Sequence, residues 1–255
     1  MGGTREREGM TPRLSVITAC WNHGHFLAEC IRSVLAQTEP DIEHIIVIDG
    51  ATDASYDVAC GFINDARVRV VMHKVNRGLA FSQNVGIDCA NAPWVLKVDA
   101  DDKIHPEYVA EIMHAAHTDP TRNVVFSPCQ HFGTRTDVYT YPAFDPAKMI
   151  DRFMIPGPAA FKKSIWEAVG GYDESMRSAE DWDLYIRAQL AVGLKPHQLM
   201  WPRWYYRMHV GPRASTAGIA QLPELQAYWR GHTRESVLAR SRSWGAWKAE
   251  RLVPA

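Results

Sequence analysis

Hydrophobic and polar residues alternate with two different periods along the first half of the chain. Nearly continuous apolar runs predict strands at Leu14 to Thr18, Glu43 to Asp49, Val68 to Met72, Trp94 to Val98 and Asn123 to Pro128. Apolar residues at helical spacing predict helices at Phe26 to Gln37, Ala54 to Phe62, Leu79 to Cys89 and Glu107 to His117. Because strands and helices take turns, we expect an α/β fold with a mostly parallel central sheet flanked by helices.

Beyond Pro128 the regular alternation ends. Aromatic and proline-rich segments precede a predicted helix at Ala179 to Ala191. A last predicted helix, Leu222 to Leu252, carries three tryptophans among six basic residues. A basic amphipathic helix can lie on an anionic membrane or dock on a partner. Since its apolar residues are few, we favour packing on its own domain.

Composition narrows the classes of partner. With 255 residues the chain can bury the core of one large domain, and its 28 basic and 29 acidic residues argue against a dedicated nucleic-acid binder. The five cysteines form no CxxC pair, so neither a zinc site nor a disulfide framework is indicated. We find no signal peptide and no apolar stretch long enough to span a bilayer, and therefore expect a cytoplasmic protein with at most peripheral membrane contact.

Polar residues follow three of the predicted strands. These segments are Ala19 to Asn22, Asp49 to Asp53 and Asp99 to Asp102. The carboxyl ends of parallel strands share one edge of the sheet, so all three should face one crevice. Clustered aspartates supply hard oxygen ligands and indicate a metal and a phosphate, although an isolated Asp-x-Asp is usually a solvated turn. Asp49 followed by Gly50 suits hydrogen bonding to a base or ribose, with a turn aspartate as the alternative.

Other nucleotide and metal motifs do not fit the chain. It contains neither Gly-x-Gly-x-x-Gly after the first strand nor Gly-x-x-x-x-Gly-Lys-Ser/Thr, which argues against a dinucleotide fold and a P-loop. An EF-hand starting at Asp99 would place its required glycine on Ile104 and its terminal glutamate on Ala110. The acidic cluster must therefore serve another kind of site.

Seven short motifs occur in an order that resembles one protein family. They are Ser15-Val16-Ile17-Thr18-Ala19-Cys20-Trp21-Asn22, Ser33-Val34-Leu35-Ala36-Gln37-Thr38, Asp49-Gly50-Ala51-Thr52-Asp53, Asn84-Val85-Gly86-Ile87, Asp99-Ala100-Asp101-Asp102, Gly170-Gly171-Tyr172-Asp173-Glu174 and Glu180-Asp181-Trp182-Asp183. Spread over roughly Arg13 to Ser215, they resemble the family 2 glycosyltransferases, which have the nucleotide-sugar-binding GT-A fold. The resemblance implies metal-dependent, inverting transfer of a sugar from a nucleoside diphosphate, which we expect to be UDP, to an acceptor hydroxyl.

The resemblance also assigns the donor site. Asp49 would accept a hydrogen bond from the base, Asp99 would hold the ribose and the metal shell, and Asp101 would bind Mn²⁺ or Mg²⁺ directly, with Asp102 as support. Such an ion neutralises the charge that develops on the leaving diphosphate. The other donor-binding candidates are Ala19, Trp21, Asn22, Gly50, Arg77 and Asn84, and the other metal candidate is His209. A solvated loop residue is the alternative for Arg77, and an accidental match is the alternative for His209.

Asp181 matches the catalytic base of the family. An inverting displacement needs a carboxylate that takes the proton of the attacking hydroxyl. Glu180 and Trp182 flank Asp181 and are candidates for acceptor binding, although a tryptophan at this spacing is also typical of a core. Without the other motifs, Glu180 and Asp181 would be interpreted as carboxylates favoured at a helix start.

The resemblance divides the chain into three parts. We expect a donor-binding half at 13–128, an acceptor-binding and catalytic-base half at 129–221, and a helical extension at 222–255. A glycan, a lipid-linked glycan or a small molecule is the favoured acceptor. A homodimer or peripheral membrane contact through the last helix stays open.

Three residues depart from the family pattern. Ile48 replaces the first aspartate of a common pair, Gln83 replaces a basic residue before Asn84, and Lys97 interrupts the strand before the acidic cluster. A buried Lys97 needs a carboxylate partner or a route to solvent. Two alternatives remain: a sugar-phosphate nucleotidylyltransferase, whose glycine-rich, arginine-containing loop the chain lacks after strand one, and a catalytically degenerate nucleotide-sugar-binding protein.

Overall fold

The predicted alternation of strands and helices is present in the computed structural model, which describes residues 11–208 and 222–239. The strands are β1 (Leu14–Cys20), β2 (Ile42–Asp49), β3 (Val68–His73), β4 (Trp94–Lys97), β5 (Lys103–Ile104), β6 (Val124–Phe126), β7 (Cys129–Gly133), β8 (Val138–Tyr139), β9 (Ala160–Lys162), β10 (Pro196–Gln198) and β11 (Trp204–Met208). The helices are α1 (Gly24–Leu35), α2 (Ser55–Cys60), α3 (Leu79–Asp88), α4 (Tyr108–Thr118), α5 (Lys163–Val169), α6 (Glu180–Val192) and α7 (Leu222–Arg230), with a short 3-10 helix at Pro146–Lys148.

The most apolar runs form the middle of the main sheet. Every residue of β2 and of β4 is buried, as expected for strands that helices cover on both faces. On one face α3 packs against β1 and β2. A Cβ atom on Gly86 of α3 would lie only 2.4 Å from the Ile17 side chain, so a glycine at this position lets the helix approach the sheet closely.

The main sheet has seven strands in the order β10-β6-β9-β4-β1-β2-β3. Strands β4, β1, β2 and β3 are parallel to one another, whereas β9 pairs antiparallel with both β4 and β6. The expected mostly parallel sheet is thus confirmed. Because the chain returns to place β4 beside β1, a topological switch point lies between these two strands, where open α/β sheets bind their ligands.

A second, smaller sheet supports the loop that follows β4. Its order is β5-β11-β7-β8, and β5 begins directly after the acidic segment at 99–102. In β11 the backbone amide of Arg207 donates a hydrogen bond to Asp102 Oδ1 at 2.8 Å. The small sheet therefore fixes the position of the acidic loop at the edge of the large one.

The described part of the C-terminal segment lies on the body of the domain. Trp229 of α7 is fully buried, and its ring centroid is 4.8 Å from that of Trp182 in α6. The Tyr228 hydroxyl donates to Asp173 Oδ2 at 2.9 Å. Residues 234–239 are also helical. Among the described residues, none of the helices is both long and apolar enough to cross a bilayer.

Candidate active site

The end of β2 is held by hydrogen bonds within the protein. Asp49 accepts from the backbone amides of Arg77 and Gly78 at 2.9 and 2.8 Å, and His73 Nδ1 lies 2.9 Å from Asp49 Oδ1. Gly50 has φ 63°, and a Cβ atom there would lie 2.3 Å from the backbone of the neighbouring loop. The Asp-Gly pair thus closes a tight turn and positions the loop that precedes α3.

The end of β1 contributes a second turn to the same edge. Asn22 has the left-handed φ of 56°, and its Oδ1 accepts from the Thr52 amide at 2.8 Å, which ties this turn to the loop after β2. Trp21 beside it is 54% exposed, and Ala19 is half-buried. The exposed indole is therefore available to contact a ligand at the mouth of the crevice.

Asp101 and Asp102, on the loop after β4, lie in different environments. Asp102 is fully buried and accepts from Trp204 Nε1 and the Arg207 amide, both at 2.8 Å. Burial, reinforced by the charges of Asp99 and Asp101, raises the pKa of Asp102 well above its usual range. Asp102 therefore anchors the loop, whereas Asp101 is half-buried.

Arg207 is a supporting residue that the sequence did not reveal. Its Nε donates to the backbone carbonyl of Asp101 at 2.6 Å. Its guanidinium lies between the rings of Phe26 and Phe132, at 4.4 and 4.3 Å from their centroids, and also pairs with Glu29. These contacts fix the backbone of the acidic loop, and the only signal in the sequence is an arginine two residues before His209.

Lys97 has the carboxylate partners that its position in the strand requires. Its Nζ is buried and lies 3.5 Å from Asp99 Oδ1 and 3.7 Å from Glu180 Oε1. Burial lowers the pKa of Lys97, but the surrounding carboxylates, Asp181 included, outweigh burial and raise it well above the ordinary value. Conversely, burial raises the pKa of Glu180 to about 7 despite the ammonium. The lysine thus joins the end of β4 to the start of α6.

Asp181 lies in the first turn of α6, next to this pair. Its Oδ1 accepts from the Trp182 amide at 2.7 Å. Its Oδ2 faces Gly157, because a Cβ atom on that glycine would lie 2.6 Å from Oδ2 and 2.9 Å from Lys97 Nζ. The predicted base Asp181 and the predicted donor ligand Asp99 therefore both lie near the Lys97 ammonium.

Other predicted site residues have internal partners. The Asn84 amide donates to the Tyr172 carbonyl and to Glu174, and its oxygen accepts from Trp166 Nε1 and the Tyr172 amide. This amide joins α3 to the segment after α5, and its assignment to the donor stays a prediction.

Trp182 and Arg77 also make contacts within the protein. The Trp182 ring packs between Phe153 and Trp229, and its Nε1 donates to the Met149 carbonyl at 2.5 Å. The Arg77 side chain is exposed and lies over the Phe81 ring at 4.3 Å. Acceptor binding by Trp182 and donor binding by Arg77 stay predictions.

The residues at the end of β4 fit a divalent ion shared with phosphate. Within residues 11–208 and 222–239 there is no cluster of three or more His, Cys, Asp or Glu side chains arranged for a metal. Asp99 and Asp101 nevertheless offer hard oxygens on one loop, and Mg²⁺ commonly binds one or two carboxylates together with substrate phosphates. Asp102 is committed to Trp204 and Arg207, and His209 lies outside the described residues.

A doubly wound sheet with carboxylates at its switch point defines a nucleotide-binding class of α/β protein. A family model described as "Glycosyl transferase family 2" matches residues 15–169. The chain therefore belongs to the family 2 glycosyl transferases, and its fold is of the GT-A type.

Three comparisons illustrate the similarity. The chondroitin synthase of Pasteurella multocida is 25% identical over 69% of this chain, which spans only 19% of that protein. S. aureus TarS in complex with UDP-GlcNAc has a TM-score of 0.72 at 18% identity, over 91% of this chain and 72% of its own. The mannosyltransferase PcManGT of Pyrobaculum calidifontis, in complex with GDP-Man and Mn²⁺, has a TM-score of 0.61 at 18% identity, over 97% and 77%.

Proposed function

We propose that the protein is a metal-dependent, inverting glycosyltransferase that moves a hexosyl group from a UDP-sugar to an acceptor hydroxyl. The observation that carries this proposal is that Asp99, on the loop after β4, and Asp181, on α6, both lie near the ammonium of Lys97. The complexes of TarS with UDP-GlcNAc and of PcManGT with GDP-Man and Mn²⁺ support a nucleotide-sugar donor and a divalent ion.

The donor would lie along the carboxyl edge of β1, β2 and β4. Asp49 and Asn22 hold the turns that form this edge, and Trp21 offers an exposed ring beside them. Arg77 stands at the start of α3, where it can meet the diphosphate. The remaining donor contacts that we propose are Ala19, Gly50, Asn84 and Asp99.

Asp101 and Asp99 would hold the divalent ion, with His209 as a further candidate. When bound, the ion neutralises charge on the leaving diphosphate. The protein's own contribution to the attack is Asp181, which accepts the proton of the acceptor hydroxyl at Oδ2. Glu180 and Trp182 border the acceptor side, and a glycan, a lipid-linked glycan or a small molecule fits the proposal.

A thermal-shift experiment tests this function. We expect UDP and a UDP-sugar to raise the unfolding temperature of the wild type when Mn²⁺ is present, and to do so much less without it. Asp101→Asn should lose the metal-dependent part of this rise in unfolding temperature. Asp57→Asn, which changes an exposed aspartate on α2, should keep it. Retention of metal-dependent binding in Asp101→Asn would show the metal assignment to be wrong. Formation of a nucleotide sugar with release of pyrophosphate would favour a nucleotidylyltransferase instead.

A further inference from the structure

A row of four aromatic rings leads from the proposed base to the protein surface. Trp182 follows Asp181 in the chain, and the centroid of its ring lies 5.4 Å from that of Phe153. The Tyr141 ring comes next, 6.2 Å from Phe153, and the Tyr139 ring lies 5.0 Å from Tyr141. The first three rings are buried or half-buried, whereas Tyr139 is 44% exposed. The row therefore ends in a ring that a ligand can reach.

Tyr141 connects the exposed ring with the neighbourhood of the proposed base. Only 7% of Tyr141 is exposed, and Tyr139 meets it edge to face, at an angle of 86° between the ring planes. Burial raises the pKa of Tyr141 well above its ordinary value, and the negative charge of Asp181 is among the charges that raise it further. Tyr139 is therefore separated by a single ring from the surroundings of Asp181.

Tyr139 belongs to a hairpin that projects from the small sheet. Every residue at 133–140 is exposed, and β8, which contains Tyr139, is an edge strand of that sheet. Val138 is 50% exposed, and successive strand residues point to opposite faces, so the described residues leave both faces of β8 uncovered. The one basic residue of the hairpin, Arg135, donates through Nη2 to its one acidic residue, Asp137, at 2.6 Å. The exposed ring thus stands on a hairpin without net charge.

This setting selects the chemistry of the ligand. An anionic membrane or a phosphate group needs cations that are free to pair, and the single arginine at 133–140 is already paired. A pyranose ring has a face of C–H groups that can cover an aromatic ring while its hydroxyls stay in water. One exposed tyrosine is ordinary on a protein surface, so the argument depends on its continuity with the row that begins beside Asp181. We propose that Tyr139 is a stacking platform for a sugar unit of a glycan acceptor, beyond the unit whose hydroxyl Asp181 deprotonates.

This inference rests on the proposed function and narrows its acceptor to a glycan of at least two sugar units. Tyr139→Ala removes the platform, and it should fold because the ring is largely outside the core. Tyr139→Phe keeps the ring and removes only the hydroxyl, so it should restore the wild-type behaviour. Tyr56→Ala removes a ring of nearly equal exposure, 43%, from α2 in the donor-binding half and serves as the control.

The first readout is binding, with UDP and Mn²⁺ present, to an array of matched mono-, di- and tetrasaccharides of glucose, galactose, N-acetylglucosamine and glucuronate. We expect the wild type to retain at least one oligosaccharide, and Tyr139→Ala to bind it about 5- to 10-fold more weakly. Tyr139→Phe and Tyr56→Ala should bind it as the wild type does.

The second readout is transfer from the UDP-sugar to the retained oligosaccharide. In Tyr139→Ala the KM for the oligosaccharide should rise by the same factor while kcat stays within about twofold, because Tyr139 does not contact the reacting atoms. The KM for the matching monosaccharide should not change, since one sugar unit at Asp181 does not reach Tyr139. A merely structural role of Tyr139 would not separate the two acceptors.

Several results would overturn the inference. If Tyr139→Ala binds the oligosaccharide as tightly as the wild type, Tyr139 is not the platform. If UDP with Mn²⁺ stabilises the wild type but no glycan is retained, the glycan acceptor is wrong while the donor part of the proposed function stands. If neither nucleotide nor glycan binds, both fail. Tyr139-dependent binding to mixed phosphatidylcholine and phosphatidylglycerol vesicles, without glycan binding, would assign the hairpin to a membrane surface instead.

Discussion

The aspartates that follow β2 and the aspartate Asp99 that follows β4 lie at the same edge of the sheet but have different kinds of partner. At the end of β2, Asp49 accepts two backbone amides, and Asp53 accepts the amides of Gly24 and Ser55 at the starts of α1 and α2. At the end of β4, Asp99 faces the Lys97 ammonium at 3.5 Å. Carboxylates that accept backbone amides build the walls of the crevice. We propose that a carboxylate balanced by a cation at longer range, such as Asp99, keeps lone pairs for a ligand.

The largest effect is expected for Asp181→Asn, on α6 near the Lys97 side chain at the end of β4. The amide keeps the shape of the carboxylate and removes its ability to take a proton, so we expect the transfer rate to fall by about 10²- to 10⁴-fold. Binding of UDP with Mn²⁺, measured by calorimetry, should stay within about twofold of the wild type. A variant that transfers sugar at the wild-type rate would remove Asp181 from the proposed mechanism.

The sequence predicted the elements of the fold better than the contacts of the site. Long apolar runs such as β2 were found because their burial shows in the residue pattern, but β9 has three residues and no periodicity to detect. The Asp-rich segment after β4 could be predicted as well, because it too is a pattern of residues that are neighbours in the sequence.

Contacts between distant segments were not predictable in the same way. The sequence indicates that a buried Lys97 needs a partner, but Glu180 is 83 residues further along the chain. Gly157 carried no signal beyond its two flanking prolines. Such tertiary contacts decide which carboxylate lone pairs stay available to a ligand. Residue type alone does not encode those contacts.

Asp102→Asn should separate the role of the supporting aspartate from that of Asp101, the neighbour that we propose as a metal ligand. Asp102 accepts from two donors, and an amide can accept through one oxygen only, so one buried donor would lose its partner. We expect a loss of about 1–3 kcal/mol in the free energy of unfolding. Denaturant titration measures it, and Asp101→Asn, at the half-buried neighbour, should change stability by less than about 0.5 kcal/mol. Equal losses in both variants would contradict the division of roles.

Glu180→Gln tests whether the pKa of the buried Glu180 carboxyl beside Lys97 is raised, and the test is the pH dependence of stability. The pKa of Glu180 is raised from 4.5 to about 7, so between these values the folded protein holds a proton that the unfolded chain releases. Stability should therefore fall as pH rises through this window, by at most about 1.4 kcal/mol per pH unit. Glutamine does not titrate, so the stability of the variant relative to the wild type should increase from pH 5 to pH 7. Parallel stability profiles for the two proteins would show that Glu180 is not perturbed.

The smallest expected effect belongs to Asp49→Asn, on the β2 side. The amide keeps one acceptor for the Arg77 and Gly78 backbone, so stability should fall by only about 1 kcal/mol. Because we propose that Asp49 also accepts from the base, UDP affinity should fall several-fold more than GDP affinity, a difference of about 1 kcal/mol. Competition calorimetry of the two nucleotides with Mn²⁺ measures that difference. An equal loss for both would mean that Asp49 only holds the loop before α3, and that the base is recognised elsewhere along the β1–β2 edge.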